Sequence, residues 1–231
     1  SQRGIFENAY RMGVKARVKE EEGRLIGLIE RLRPTAPKAW IDEEDPRVEE
    51  LLRVVSTTYH RESGVTRDEA TAALASQMYA DYLRLFPNAA ERPSILINQA
   101  ILFDQAGRFT EAAEMFGQVA DAQPGTDVGR EAARSAVASY YKSVDMTRSG
   151  GQRDETADTT PRPLSDTDRK LLAASDRYLK MAKPGDPDVV EARFVAALVH
   201  YDTNRFREAL DGFARIIADS PGHANAPDAA R

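Results

Sequence analysis

Three histidines, His60, His200 and His223, are the side chains of this chain best suited to proton transfer or metal ligation near neutral pH. They lie far apart in sequence, and none has metal-ligand spacing with another histidine or a carboxylate. There is no cysteine, which excludes disulfides, thiolate zinc sites and cysteine nucleophiles. It also fits an oxidising compartment, where stray thiols are a liability. No phosphate-cradling glycine loop, HExxH, nucleophile elbow or calcium loop occurs. Gly150-Gly151-Gln152 spells a tripeptide of translation release factors, but its surroundings are polar loop. The carboxylates read as solvated helix surface. No enzyme, cofactor or metal is expected, so the function must lie in a surface and in the elements that build it.

Those elements are clearest between Pro93 and Pro124. Leu96, Ala100 and Phe103 recur at i, i+4 and i+7 and share one helix face. Gly107 supplies a residue able to take the left-handed conformation at a helix end. Phe109, Ala112, Phe116 and Val119 restart the period, and Pro124 closes it. A helix, a tight turn and a second helix within about 34 residues form a helical-hairpin unit.

These residues resemble the tetratricopeptide repeats. Leu96, Ala100 and Phe103 fill that family's large, small and aromatic places on the first helix. Gly107 and Phe109 match its turn, and Ala112, Phe116, Val119 and Pro124 its second helix. Ala112 stands where the two helices cross closely. The pattern returns downstream, with Ala196, Ala197 and His200 on a first helix and Asn204 and Phe206 at the turn. Ala209, Phe213, Ile216 and Pro221 stand on that second helix. Upstream, Ala75, Tyr79, Tyr82 and Pro87 read as a second helix. The resemblance implies an all-α fold, a right-handed α-solenoid of antiparallel helix pairs, since a hairpin this small buries its apolar face only against neighbours.

Phe109 and Phe206 stand 97 positions apart, short of three periods of about 34 residues. A longer middle unit accounts for the spacing. Its first helix points Ala133, Ala136, Val137 and Tyr140 inward, and its second Ala174, Tyr178 and Met181. Between them Asp145–Asp166 lacks apolar periodicity and is expected to be a mobile insert, either decoration or a contact site. The expected organisation is an N-terminal part over 1–44, about four units over 45–221, and the start of a further repeat helix over 222–231. The chain opens without Met or a signal peptide and closes on HANAPDAAR, so it is expected to be a piece of a longer protein.

Ahead of the array, Gly4–Leu32 is expected to be one helix, with Leu25, Ile26, Leu28, Ile29 and Leu32 along its apolar stripe. Ala9, Tyr10 and Gly13 faintly resemble a first-helix pattern. The segment is a cap for the array, a degenerate repeat, or a docking helix for another subunit. Pro34–Pro46 reads as an extended connector. Trp40 in it is either an anchor onto the flanking helices or a binding anchor. Asp45-Pro46 reads as an N-cap followed by Pro at the first helical position. From there Val48, Leu51, Leu52, Val55 and Tyr59 face inward, until Gly64 ends the helix. His60, near that end, suits a helix C-terminus as a cation. Asp186-Pro187 repeats the cap-plus-Pro device before the fourth unit.

With 231 residues, 42% of them hydrophobic and 30% charged, the chain has the composition of a helical globular protein. A net charge of −5 gives no basic face for nucleic acid, and no apolar run is long enough to span a membrane.

The implied architecture lines a concave groove with the first helices of its pairs. Register places Ile97, Asn98 and Ile101 there from the second unit, Arg134, Ala138 and Tyr141 from the third, and Phe194, Leu198 and Tyr201 from the fourth. An apolar floor with tyrosines and one arginine suits a partner protein's amphipathic helix or extended peptide, unless the N-terminal helix or the insert fills it. In one branch of the family, Lys and Asn at groove positions hold a peptide's C-terminal carboxylate. Ile97 and Ile101 stand at those places here, which gives no ground for that activity. The expected function is a non-enzymatic scaffold in a larger assembly, or a regulatory or spacer segment of a protein whose catalytic domain lies elsewhere. Stretches such as YADYLRLFP are similar in style to repeat proteins of bacterial envelopes, which suggests a periplasmic or cell-envelope setting over a cytoplasmic one.

Overall fold

A computed structural model of the chain describes residues 1–148 and 159–219. Among the described residues there are ten helices and no strand. They fall into two compact units, Ser1–Leu102 and Phe103–Arg231.

The first unit opens with α1 (Gln2–Arg11) and α2 (Lys15–Leu32). The single helix expected over Gly4–Leu32 is thus broken. Gly13 takes φ +69°, a left-handed conformation that costs glycine little. The break lets α1 fold back on α2, so that Phe6 and Ala9 are buried in one cluster with Val18, Leu25, Ile26 and Ile29. A straight helix would have left Phe6 beyond the reach of that stripe.

The expected connector is mostly helix as well. α3 runs from Lys38 to Thr66, with Pro37 before it and Pro46 inside it. The boundary expected at 44/45 therefore lies within a helix. Asp45 is not a cap; its carboxylate takes a hydrogen bond from Arg33 (2.9 Å). The acidic run is occupied by ion pairs: Lys38–Asp42 (2.5 Å), Arg47–Glu43 (2.8 Å), and Arg3–Glu44 (3.2 Å) from α1. Trp40 is half-buried. The helix continues past Gly64 and ends at Arg67, where φ is +59°. Asp68 then caps α4 (Glu69–Leu85) by accepting from the Ala70 N–H (3.2 Å). Leu52, Val55, Ala75, Met78, Tyr79 and Tyr82 are fully buried between α3 and α4. α5 (Arg92–Gln105) carries the chain into the second unit.

The second unit holds α6 (Phe109–Ala122), α7 (Asp127–Arg148), α8 (Asp166–Met181), α9 (Asp188–Asp202) and α10 (Phe206–Asp219). The two expected left-handed turn residues take that conformation, Gly107 at φ +73° and Asn204 at φ +59°. Ala112, Ala133, Ala136, Ala174, Ala209 and Ile216 are buried as the periodicity predicts. At α9 the N-cap position falls on Pro187 and not on Asp186, one residue later than expected, while Asp186 accepts from the Asp188 N–H (3.2 Å).

At its edges the expected insert is ordered by specific bonds. Residues 145–148 are the last turn of α7. After the gap in the described residues, the Arg162 N–H donates to the Thr203 carbonyl (2.9 Å) and the Asn204 amide to the Thr160 carbonyl (2.9 Å). Both bonds tie the strap before α8 to the α9–α10 turn. The middle of the insert with Gly150-Gly151-Gln152, and the expected repeat start at 222–231 with His223, lie outside the described residues.

Candidate protein-binding site

Arg134, Ala138 and Tyr141 occur at i, i+4 and i+7 on α7, beside the buried face made by Ala133, Ala136, Val137 and Tyr140. The alanines keep that face shallow, and α7 packs against α9 as well as α6 and α8. A cleft of about 30 Å³ opens there, lined by Arg134, Ala138 and Tyr141 with Asp188, Glu191 and Val195 of α9 and Tyr178 of α8. It has room for about one water-sized group. A larger occupant would lie across its mouth with one small group inserted.

Arg134 is held charged by hydrogen bonds to Glu131, with its Nε 3.5 Å from an Asp188 carboxylate oxygen. The Arg134–Asp188 pair is 39% exposed on both sides, where an ion pair contributes about 0–1 kcal/mol. A partner's charge can replace it at little cost. Burial, then the carboxylates of Asp145, Asp202 and Glu191, push the Tyr141 phenol up. Burial and then Asp186 push up Tyr178. Both phenols stay neutral; the Tyr178 hydroxyl is buried, and Tyr141 is the one able to donate at the cleft.

The other expected groove residues are divided. Phe194 packs on Phe213 of α10, with ring centroids 5.7 Å apart. Tyr201, 43% exposed, stands edge-on to Phe206 at 5.9 Å. Both thus lean toward α10. Leu198 is half-buried and shares the stripe of Glu191 and Val195 by helical spacing. The α9 contribution is thus Asp188, Glu191, Ala192 and Val195, which the sequence reading missed. The available signal was the recurrence of 188, 191, 195 and 198 along one helical stripe.

Ile97, Asn98 and Ile101 belong to the first unit and are half-buried. Asn98 lies near the buried Tyr79 phenol. Tyr79 also meets His60 Nδ1 at 3.2 Å. Burial pushes the His60 pKa down. This neutral histidine inside α3 replaces the helix-end cation expected from the sequence. His200 is half-buried, as its place in the pattern implied, and burial lowers its pKa too.

The first unit carries a wider cleft of about 440 Å³ over Phe86, rimmed by Asp45, Glu49 and Glu91. Two of those carboxylates are occupied, Asp45 by Arg33 and Glu49 by the Tyr82 hydroxyl. Among the described residues no group of three or more His, Asp or Glu side chains is placed to hold a metal ion. No described helix is long and apolar enough to cross a membrane.

No family model matches the chain, and no curated protein matches it. Among solved structures, the crystal structure of BtubC (BKLC) from P. vanneervenii is 13% identical, with 96% of this chain and 90% of that chain covered at a TM-score of 0.43. A likeness at that level carries no argument about this chain's fold or function.

Proposed function

We propose that this chain is a non-enzymatic protein-binding scaffold of tetratricopeptide type, a right-handed solenoid of antiparallel helix pairs. Its α7–α9 cleft receives an amphipathic helix or extended peptide of a partner protein. The observation that carries this reading is the meeting of Arg134, Ala138 and Tyr141 with Asp188, Glu191 and Val195 around one cleft. Ala138 and Val195 offer apolar contact, Tyr141 a hydrogen-bond donor, and the exposed Arg134–Asp188 pair a charge-paired rim that a partner can enter. A cell-envelope setting is part of the proposal and rests on the resemblance of style and the lack of cysteine.

The test is affinity capture from cell fractions with the wild-type chain and with Arg134→Glu/Tyr141→Ala, after circular dichroism shows equal helicity. A partner bound by wild type should lose at least about tenfold in affinity for the double variant, as expected when an Arg and a Tyr anchor are removed together. Equal retention by both proteins would rule out this cleft as the working surface.

A further inference from the structure

We propose that Glu22 is a proton-operated latch, which holds the α1–α2 hairpin against α4 while its carboxyl is protonated and loosens that contact once it ionises. Glu22 lies on α2 at 2% exposure, and Asp81 lies beside it on α4 at 8%. Ionising two neighbouring buried carboxyls together is costly. Asp81 already has donors on both oxygens. Its Oδ2 accepts from the Gln77 amide (2.9 Å), and its Oδ1 accepts from Arg84. Glu22 Oε1, by contrast, is buried with no hydrogen-bond partner. No donor is therefore in place at Oε1 to receive a Glu22 carboxylate.

The surrounding charges come from each neighbouring element. α4 supplies Asp81 and Arg84, and Arg84 is shared with Glu30. Lys19 acts from α2 itself. On α1, Gln2 reaches Glu21 instead (2.7 Å), Arg3 turns to Glu44, and Glu7 pairs with Arg11. Burial first, then the Asp81 charge and hydrogen bond, push Glu22 up to about 8 from 4.5, against the opposing pull of Arg84 and Lys19. Between those two values the unfolded chain has released the proton and the folded chain still binds it. Stability from this site is therefore full below 4.5 and falls as pH rises through about 8.

The test is hydrogen exchange on the whole chain at pH about 6 and about 9, corrected for intrinsic rates, in wild type and Glu22→Gln. Wild type should lose protection in α2 by about tenfold or more at the higher pH, with α3 holding its protection, because one unit of pKa shift corresponds to that factor. Glu22→Gln, which cannot ionise, should keep α2 protection constant. Equal pH dependence in both proteins, or none in wild type, would overturn the latch. If the variant misfolds, the carboxyl carbon of Glu22 in wild type is followed by NMR. A midpoint near 8 supports the latch, and one near 4.5 overturns it.

Discussion

Gly129→Ala is expected to destabilise the second unit by about 3 kcal/mol, seen as a fall of roughly 6–12 °C in the unfolding midpoint. Gly129 lies in the first turn of α7, where the chain leaving α6 doubles back. A Cβ built there would stand 2.1 Å from the Gln123 carbonyl oxygen and 2.9 Å from its carbon. The obstacle is backbone, so relief requires moving the α6–α7 turn itself. Ala is the better helix former by about 1 kcal/mol, and that gain is too small to offset the clash. The same substitution at Gly27, an exposed position of α2 with nothing within 4 Å of a built Cβ, should stabilise by about 0.5–1 kcal/mol. Paired thermal melts of the two variants should move in opposite directions. A neutral Gly129→Ala would show that the α6–α7 crossing is looser than described.

The second large effect is expected at Asp168. Its backbone N–H donates to the Ser165 hydroxyl (3.1 Å) while its carboxylate accepts from the Ser165 N–H (3.0 Å), a reciprocal cap on α8. The same carboxylate accepts from Arg148 at the end of α7 (2.6 Å), and Arg148 also donates to Asp202 at the end of α9 (2.6 Å). This nearly buried carboxylate and Arg148 together tie three helix ends. Asp168→Ala removes the cap contact and leaves Arg148 half-paired. Breaking a buried pair costs about 3–5 kcal/mol. Since Arg148 is 31% exposed, about 2–3 kcal/mol is expected in chemical denaturation. Asp168→Asn keeps the cap acceptor and should recover about 1 kcal/mol of that loss. Equal midpoints for wild type and Asp168→Ala would mean that Ser165 and Arg148 find other partners.

The sequence made some elements legible and hid others for identifiable reasons. The α9–α10 turn was readable because Asn204 needs a left-handed backbone and Ala209 and Ile216 keep a clear period around it. α3 was misread because Pro after Asp is common at a helix start. Inside a helix Pro46 loses its donor to the carbonyl of Asp42 and its ring crowds that carbonyl, but Asp42 is exposed, so water can satisfy the displaced oxygen. Gly13 was read as a helix residue and not as a turn because no proline marks that break.

The binding face was legible on α7 and half-legible on α9 for one physical reason. Charged and small residues confine the apolar stripe of α7 to one side. On α9, Val189, Val190, Phe194, Val195, Leu198 and Val199 put apolar side chains around most of the helix. Its rotation is then set by what it packs on. Phe213 and Phe206 draw Phe194 and Tyr201 toward α10, and the Asp188–Glu191–Val195 stripe is left to face α7.

The most direct measurement is site-specific photocrosslinking in living cells, with a photoreactive phenylalanine analogue placed at Ala138 in the cleft or at Arg215 on exposed α10. A discrete adduct from Ala138, absent from Arg215 and lost when Arg134→Glu is added, is the result expected of a partner seated between α7 and α9. Adducts of equal yield from both positions, or from Arg215 alone, would contradict that placement.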